Sequence, residues 1–120
     1  IDDDAIHQRF AQIMISKHDI YDEVISYTEA EKALDFLKVN SDNKNTLPDV
    51  ILLDLNMPVV DGWDFLEAFE SFQMELNKDV RVFIVSSSVD EKDMIRSQAH
   101  STVRGFISKP LSPEIIRSTL

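Results

Sequence analysis

The segment Val50-Ile51-Leu52-Leu53-Asp54-Leu55-Asn56-Met57-Pro58 predicts a buried strand that ends at an acid and continues into a loop. Its first four residues, Val50 to Leu53, are all branched and apolar, which is typical of a strand covered on both faces in a parallel sheet. Ligands of open parallel sheets bind beyond the carboxyl ends of the strands. Asp54 therefore lies where this fold class has its functional site.

Downstream of Asp54 the chain alternates between helical and strand patterns. The pattern predicts, in chain order, a helix with Phe65, Leu66, Phe69 and Phe72 on its buried face, a strand over Val80–Val85, a helix from about Asp90 to Thr102, a strand over Gly105–Ser108, and a helix started by Ser112 as N-cap and Pro113. Between the strand over Val80–Val85 and the helix that follows it, Ser87 and Ser88 are expected to be ordinary loop residues.

Upstream of Val50 the same alternation predicts two helices and one short strand. The elements are a helix over Ala5–Lys17 with Ile6, Phe10, Ile13 and Met14 on its buried face, a strand over Glu23–Tyr27, a helix begun by a capping box of Thr28 and Glu31 with Ala33, Leu34 and Leu37 inward, and a loop over Ser41–Pro48. Asp4 is expected only to start the first helix, because the helix dipole favours an acid there. The alternation predicts an α/β fold with a parallel sheet covered by helices on both faces.

Both ends of the chain suggest a trimmed domain. The chain begins at Ile1-Asp2-Asp3-Asp4, without the apolar strand that should precede the first helix, and it stops at Leu120 before the last helix has an obvious cap. A missing buried strand would leave backbone groups unpaired in the middle of the sheet. We therefore expect residues 1–120 to form a single domain that is trimmed at both ends.

Composition restricts the classes of function. With 120 residues, 43% of them hydrophobic, the chain has enough apolar material for one core. Its formal net charge of −10 would repel nucleic-acid phosphates and an anionic membrane surface. The chain has no cysteine and no apolar run as long as a membrane span. We expect a cytoplasmic domain that binds neither nucleic acid nor membrane directly.

Acidic, basic and hydroxyl side chains follow the ends of the predicted strands. Asp2 and Asp3 lie where a first strand would finish, and Asp54 ends the next buried strand. Carboxylates gathered at one edge repel each other unless a hard divalent cation lies among them, which favours Mg²⁺ or the similar Mn²⁺. Ser86 offers a hydroxyl and Lys109 a compact positive charge at later strand ends, so these groups would surround a phosphate.

This set of residues, with Asp61-Gly62 behind Asp54 and Pro110 after Lys109, resembles the receiver domain of two-component response regulators over essentially the whole chain. The resemblance implies a flavodoxin-like, doubly wound parallel sheet with strand order 2-1-3-4-5 in three α/β/α layers. It also implies a cis peptide bond between Lys109 and Pro110.

The resemblance further assigns a chemical role to each acid. Asp54 matches the phosphoacceptor, and Asp2 and Asp3 match the acids that bind the metal ion. The backbone carbonyl of Asn56 matches the remaining protein ligand of the metal. The chain would then be no enzyme in the usual sense, since it would catalyse only its own phosphorylation and dephosphorylation.

The same resemblance predicts a conformational switch and partners for it. Ser86 matches the hydroxyl that closes on the phosphoryl group, Lys109 matches the lysine that pairs with it, and Phe106 matches the rotating switch aromatic. The phosphodonor would be a histidine kinase or a histidine phosphotransfer protein. The output would go to a downstream protein target or an attached output domain, whose identity stays open, and a phosphorylation-dependent homodimer is compatible with it.

Three other classes of protein are weighed against this hypothesis. A receiver-like binding module without phosphorylation usually lacks one of the acids or the lysine, and all are present here. A haloacid-dehalogenase-type phosphatase would carry a second Asp two residues after the nucleophile, where this chain has Asn56. A flavodoxin-like cofactor binder would have a phosphate-binding loop in place of Asp2 and Asp3. The binding module is the nearest alternative.

Overall fold

The computed structural model describes residues 1–87 and 90–120, and within them the chain forms three strands and five α-helices. The elements are α1 Ala5–Lys17, α2 Ala30–Val39, β1 Val50–Asp54, α3 Gly62–Phe72, a short 3₁₀ helix Gln73–Glu75, β2 Arg81–Ser86, α4 Glu91–Gln98, β3 Val103–Ser108 and α5 Pro113–Arg117. Of the predicted loop residues Ser87 and Ser88, the second lies outside the described residues.

The three strands form one parallel sheet in the order β1-β2-β3. In its register Asp54 lies opposite Val85, and Ser86 lies opposite Ser108. The carboxyl ends of all three strands therefore meet at the same edge of the sheet. Lys109 directly follows β3 and lies at that edge as well.

Helices cover both faces of this sheet, which confirms the predicted α/β class. On one face α2 packs against α3, and the phenylalanines of α3 lie in a large core with Ile51 and Leu53 of β1. On the other face α1 and α5 meet around a smaller core that contains Ile15, Val85 and Ile116. Helix α4 lies beside β3. This three-layer arrangement is the one that strand-helix alternation predicts.

Several local predictions are also confirmed. The inward residues of α2 are Ala33, Leu34 and Leu37, as predicted. Asp4 is the N-cap of α1, and Ser112 is the N-cap of α5 with Pro113 at the first helical position. Among residues 1–87 and 90–120, no helix has the length and apolar character needed to cross a membrane.

The predicted strand Glu23–Tyr27 does not form, and the sheet consists of the last three strands of the predicted order. Ile1 and Asp2 lie between this segment and β1. The Ile1 nitrogen donates to the Leu52 carbonyl at 2.6 Å, and the Asp2 N–H donates to the Tyr27 carbonyl at 3.0 Å. The segment lines a groove of about 650 Å³ together with Val50, Ile51 and Leu52 of β1, and within the described residues it forms no ladder with that strand.

The predicted buried face of α1 is wrong for three of its four residues, while the fourth, Met14, packs against the smaller core. Ile6, Phe10 and Ile13 are 83%, 57% and 54% exposed, whereas Ile15 is buried in the smaller core. The helix carries apolar residues on two opposite faces, and the face with Ala11 and Ile15 is the one that packs on the sheet and α5. Helical spacing alone fits both faces, so packing decides which one is buried.

Two predicted helix boundaries differ from the structure. Helix α2 begins at Ala30 with Glu29 as N-cap and no side-chain capping bond, so the predicted capping box of Thr28 and Glu31 is absent. The first residue of the helix, Ala30, is instead buried in the core. Helix α4 ends at Gln98 and not at the predicted Thr102. The N–H groups of Ala99 and His100 donate to carbonyls only three residues earlier, so the helical pattern stops and Thr102 lies in a turn before β3.

Candidate functional site

Three carboxylates converge at the carboxyl edge of the sheet. Asp54 ends β1, while Asp2 and Asp3 approach it from the segment before α1. The side chains of Asp2 and Asp54 are each only 9% exposed, whereas Asp3 faces solvent. One carboxylate oxygen from each of the three lies within 4.8 Å of the others, close enough for a single cation to contact all of them.

The loop after β1 fixes the position of Asp54. The Asn56 N–H donates to Asp54 Oδ1 at 3.2 Å, and the Gly62 N–H donates to the Leu55 carbonyl at 3.0 Å. A Cβ atom at Gly62 would lie 2.6 Å from the Asp54 carbonyl oxygen, so glycine is required for this close approach. Asp61 then caps α3 by accepting from the Asp64 N–H. The start of α3 is thereby held against the end of β1.

Asp2 is held by three donors. Its Oδ1 accepts from the Asp4 N–H at 2.9 Å, and its Oδ2 accepts from Lys109 Nζ at 3.0 Å. The same Oδ2 is 2.8 Å from Nδ1 of His7. Asp2 is thus a well-bonded, buried carboxylate, while its neighbour Asp3 is exposed.

Lys109 connects the carboxylates to the third strand. Its Nζ lies 3.0 Å from Asp2 Oδ2 and 3.6 Å from Asp54 Oδ2. Its backbone N–H donates to the Ser86 carbonyl at 2.8 Å, and the Lys109–Pro110 peptide bond is cis, as the sequence resemblance predicts. One ammonium group therefore contacts both buried acids.

The three groups shift one another's protonation. Burial and the negative charge of Asp2 raise the pKa of Asp54 above its usual value of 3.8, against the opposing effects of the Asn56 N–H and Lys109. Burial also acts to raise the pKa of Asp2, but hydrogen bonds from the Asp4 N–H and Lys109 outweigh it and lower that pKa. Burial acts to lower the pKa of Lys109, yet its contacts with the two acids raise it overall. Asp54 is the acid whose charge this environment disfavours.

The donor set fits a hard divalent cation. Three carboxylates and one ammonium group leave two negative charges uncompensated at the cluster. All the clustered ligands are oxygens, which Mg²⁺ and Mn²⁺ prefer, and Asp3 is open to solvent from which such an ion would keep part of its water shell. The acids and their charge therefore suit Mg²⁺.

Comparison with known proteins identifies the family of this chain. The model of the response regulator receiver domain matches residues 1–120. The chain belongs to this family.

The chain is similar in sequence to parts of proteins of different size. The chain is 29% identical over 119 residues to two-component response regulator ORR1 of rice (Oryza sativa subsp. japonica), covering 98% of the chain and 50% of that protein. It is 31% identical over 96 residues to the sensor histidine kinase CheAY of Helicobacter pylori, covering 80% of the chain and 12% of that protein. The chain spans about half the length of the curated regulators that it matches.

Solved structures of response regulators share the fold. A two-component response regulator from Cytophaga hutchinsonii superimposes with a TM-score of 0.88 at 26% identity, over 98% of this chain and 88% of the other. The fold of this receiver domain is therefore the one found in response regulators.

The two proposed switch residues of the receiver domain lie on neighbouring strands. Ser86, at the end of β2, is 1% exposed, one position beyond the level of Asp54 in the sheet. Phe106, on β3, is half-buried against the larger core and lies opposite Ile84. Their roles as switch hydroxyl and switch aromatic stay predictions. The same holds for the Asn56 carbonyl as a metal ligand, and for the chemical roles of Asp2, Asp3, Asp54 and Lys109.

Sequence reasoning missed His7. The histidines lack metal-ligand spacing in the sequence and are not predicted to belong to the site, and His18 is an exposed residue at the end of α1. Nδ1 of His100 lies 2.6 Å from Oε1 of Glu70, which is not one of the clustered site acids. His7, however, contacts Asp2. His7 lies in the first turn of α1, directly beyond the acidic segment Asp2-Asp3-Asp4, and this position is the signal that could have identified it.

Proposed function

We propose that this receiver domain accepts a phosphoryl group on Asp54 from a phosphohistidine of a histidine kinase or histidine phosphotransfer protein. The observation that carries the proposal is the carboxylate of Asp54, held at the end of β1 beside Lys109 and clustered with Asp2 and Asp3. Phosphoryl transfer requires mainly positioning and charge stabilisation, and this site offers both.

In the transfer step, an Asp54 carboxylate oxygen attacks phosphorus and forms the P–O bond of an aspartyl phosphate. The P–N bond of the donor breaks, and its electron pair stays with the histidine nitrogen. Asp54 must be ionised to attack, and Lys109 favours that form even though burial opposes it. Bound Mg²⁺, held by Asp2, Asp3, Asp54 and the Asn56 carbonyl, would add positive charge next to the transferring oxygens.

Lys109 and Ser86 respond to the new group. The Lys109 ammonium, now 3.0 Å from Asp2 and 3.6 Å from Asp54, shifts its bonds toward the phosphoryl oxygens. The Ser86 hydroxyl turns toward the same oxygens as a donor. These contacts exist only in the phosphorylated domain, so they bias a two-state equilibrium towards the active conformation. Attack of water on phosphorus later breaks the P–O bond to Asp54, which releases inorganic phosphate and restores the carboxylate. The domain catalyses no other reaction.

The exposed face of α1 supports a docking role for the phosphodonor. Ile6, Phe10 and Ile13 form an apolar stripe on the helix that starts next to Asp2 and Asp3. Helices of a histidine kinase or phosphotransfer protein could pack on this stripe and bring their phosphohistidine to Asp54. Such donors act in the cytoplasm, which we propose as the location of this domain.

The output surface comprises α4, β3 and α5. Ile95 of α4 is 60% exposed, and Phe106 lies on the neighbouring strand. Movement of Phe106 after Ser86 has closed on the phosphoryl group changes this surface. A downstream protein, an attached output domain or a second phosphorylated copy would read the change. The acidic chain would not contact nucleic acid directly.

Beryllium fluoride, which mimics the phosphoryl group, and acetyl phosphate test the proposal. Wild-type protein with Mg²⁺ should bind the first and be labelled by the second, as detected by amide shifts and intact mass. Asp54→Asn should do neither. Asp49→Asn, which removes an acid just before the opposite end of β1, is the matched control and should behave as wild type. Labelling of Asp54→Asn at the wild-type rate would instead favour a different chemistry, and an inert wild-type protein would favour a binding module.

A further inference from the structure

We propose that His7 is a positioning residue that holds the Asp2 carboxylate in place for the metal ion when Lys109 turns towards a phosphoryl group on Asp54. The inference rests on the proposed function. It concerns a contact that neither the sequence motifs nor the family match assigns.

The geometry gives Asp2 two donors on one oxygen. His7 Nδ1 lies 2.8 Å and Lys109 Nζ 3.0 Å from Oδ2 of Asp2. An ionised carboxylate can only accept hydrogen bonds, so Nδ1 of His7 carries a hydrogen atom in this contact. His7 therefore donates to Asp2 whether or not its ring is charged.

The backbone keeps the His7 ring at the site. Asp4 caps α1 by accepting from the N–H groups of Ile6 at 3.0 Å and His7 at 3.2 Å. The N–H of Asp4 itself donates to the other oxygen of Asp2. The acidic segment and the first turn of α1 are thus joined by hydrogen bonds, and the His7 side chain, 21% exposed, lies beside Asp2. The imidazole reaches Asp2 through two side-chain torsions from this fixed backbone, whereas Lys109 reaches it through a flexible four-carbon chain.

The two donors respond differently to phosphorylation. Lys109 reaches both Asp2 and Asp54, and its charge is drawn towards new negative oxygens on Asp54. Oδ2 of Asp2 then loses one of its donors while its carboxylate stays buried. The hydrogen bond from His7 remains and prevents the carboxylate from rotating. Hydrogen-bond partners of metal-binding carboxylates typically change metal affinity by factors of 10 to 100 when they are removed.

The comparison of His7→Leu with His7→Asn tests this role. Leucine keeps apolar bulk but cannot donate, whereas the Asn amide carries its N–H group two bonds beyond Cβ, as His carries Nδ1. Mg²⁺ affinity is measured by calorimetry on the free protein, and as the Mg²⁺ concentration that half-saturates the beryllium fluoride complex by amide shifts. His18→Leu, on the exposed end of the same helix, is the matched control.

We expect His7→Leu to weaken Mg²⁺ binding about tenfold, more strongly in the beryllium fluoride complex than in the free protein. His7→Asn should restore most of the loss, and His18→Leu should match wild type. Equal Mg²⁺ affinity of His7→Leu and wild type in both states would overturn the inference while leaving the proposed function intact. So would an equal loss in His7→Leu and His7→Asn, because that would indicate a packing effect of the ring.

Wild-type protein that binds neither Mg²⁺ nor beryllium fluoride would overturn the proposed function and this inference together. Thermal unfolding monitors the fold of each variant. If His7→Leu does not fold, His7→Ala replaces it in the comparison with His7→Asn, and the same outcomes apply.

Discussion

The protein groups around Asp54 disfavour its charge, so this carboxylate should affect the stability of the fold. Burial and the nearby charge of Asp2 raise the pKa of Asp54. A carboxyl group whose pKa is raised by folding destabilises the folded state while it is ionised. Without metal, its contribution should therefore make the protein more stable as the pH falls through the raised pKa towards 3.8. Asp2 has the opposite sign, because its lowered pKa stabilises the fold above its usual value of 3.8 and that contribution is lost in stronger acid.

Asp54→Asn should increase the free energy of unfolding of the metal-free domain at neutral pH, because asparagine has no charge to bury. The increase should shrink as the pH is lowered. Saturating Mg²⁺ should reverse the order, since a ligand at a hundredfold excess over its Kd adds about 2.7 kcal/mol to the protein that binds it. Urea unfolding with EDTA or Mg²⁺ measures both effects, with Asp49→Asn as control. A less stable Asp54→Asn in EDTA at neutral pH would contradict the electrostatic account of the site.

The sequence predicts which charged residues form the site better than it predicts the hydrogen bonds between them. The positions of Asp2, Asp3, Asp54 and Lys109 at one edge follow from strand ends alone, and the structure brings their carboxylates and ammonium together. The hydrogen bond from His7 to Asp2 depends on the rotation of α1 about its axis. That rotation is set by packing on the sheet, which helical spacing does not specify.

The connection between β1 and α3 depends on the absence of a side chain at Gly62. A Cβ atom there would lie 2.6 Å from the Asp54 carbonyl oxygen and 2.7 Å from the Leu55 Cα, and neither backbone atom can move without shifting the site. Gly62→Ala should therefore lower the free energy of unfolding by about 2 kcal/mol or more and weaken Mg²⁺ binding. Urea unfolding and calorimetry measure the two effects. Glu67→Ala, an exposed change on the same helix, should stay within about 0.5 kcal/mol of wild type.

Helix α1 has an exposed apolar stripe that the fold does not use. Ile6→Asp should leave stability and labelling by acetyl phosphate nearly unchanged, because Ile6 is 83% exposed. Transfer from a histidine kinase or phosphotransfer protein should slow by about tenfold, which corresponds to about 1.4 kcal/mol of lost docking energy. Val39→Asp is matched in exposure, also 83%, but lies at the end of α2. Equal slowing of protein-donor transfer by both changes would rule out a specific role for α1.

The elements that the sequence predicts well are those whose apolar pattern admits one solution. In α3 the four phenylalanine and leucine positions form a single stripe, and all are buried. In α1 two apolar stripes compete for the core. The strand-like sequence of Glu23–Tyr27 joins no strand of the sheet among the described residues. A strand needs a neighbour along its length, so local sequence cannot decide whether it forms.

Across the whole molecule, the site lies between two surfaces with different proposed tasks. The α1 stripe is on the helix that begins beside the acids, whereas α4, β3 and α5 lie towards the β3 edge of the sheet. Phe106 on β3 is packed against the larger core, and its side chain has no polar group that could bind a metal ion or a phosphoryl oxygen. Chemistry and readout should therefore be separable by mutation.

Phe106→Ala should leave labelling by acetyl phosphate within about twofold of wild type, because the change removes no group that faces phosphorus. It should reduce the amide shift changes that beryllium fluoride induces in α4 and α5, since the side chain proposed to carry the movement is gone. Phe36→Ala is the matched control: it removes another half-buried ring from the same core, on α2. Each change should cost about 1–3 kcal/mol of stability, so unfolding curves verify that both variants remain folded. If Phe106→Ala abolished labelling in a folded protein, phosphorylation and readout would not be separable. If Phe106→Ala and Phe36→Ala reduced the α4 response equally, Phe106 would have no specific role as the switch residue.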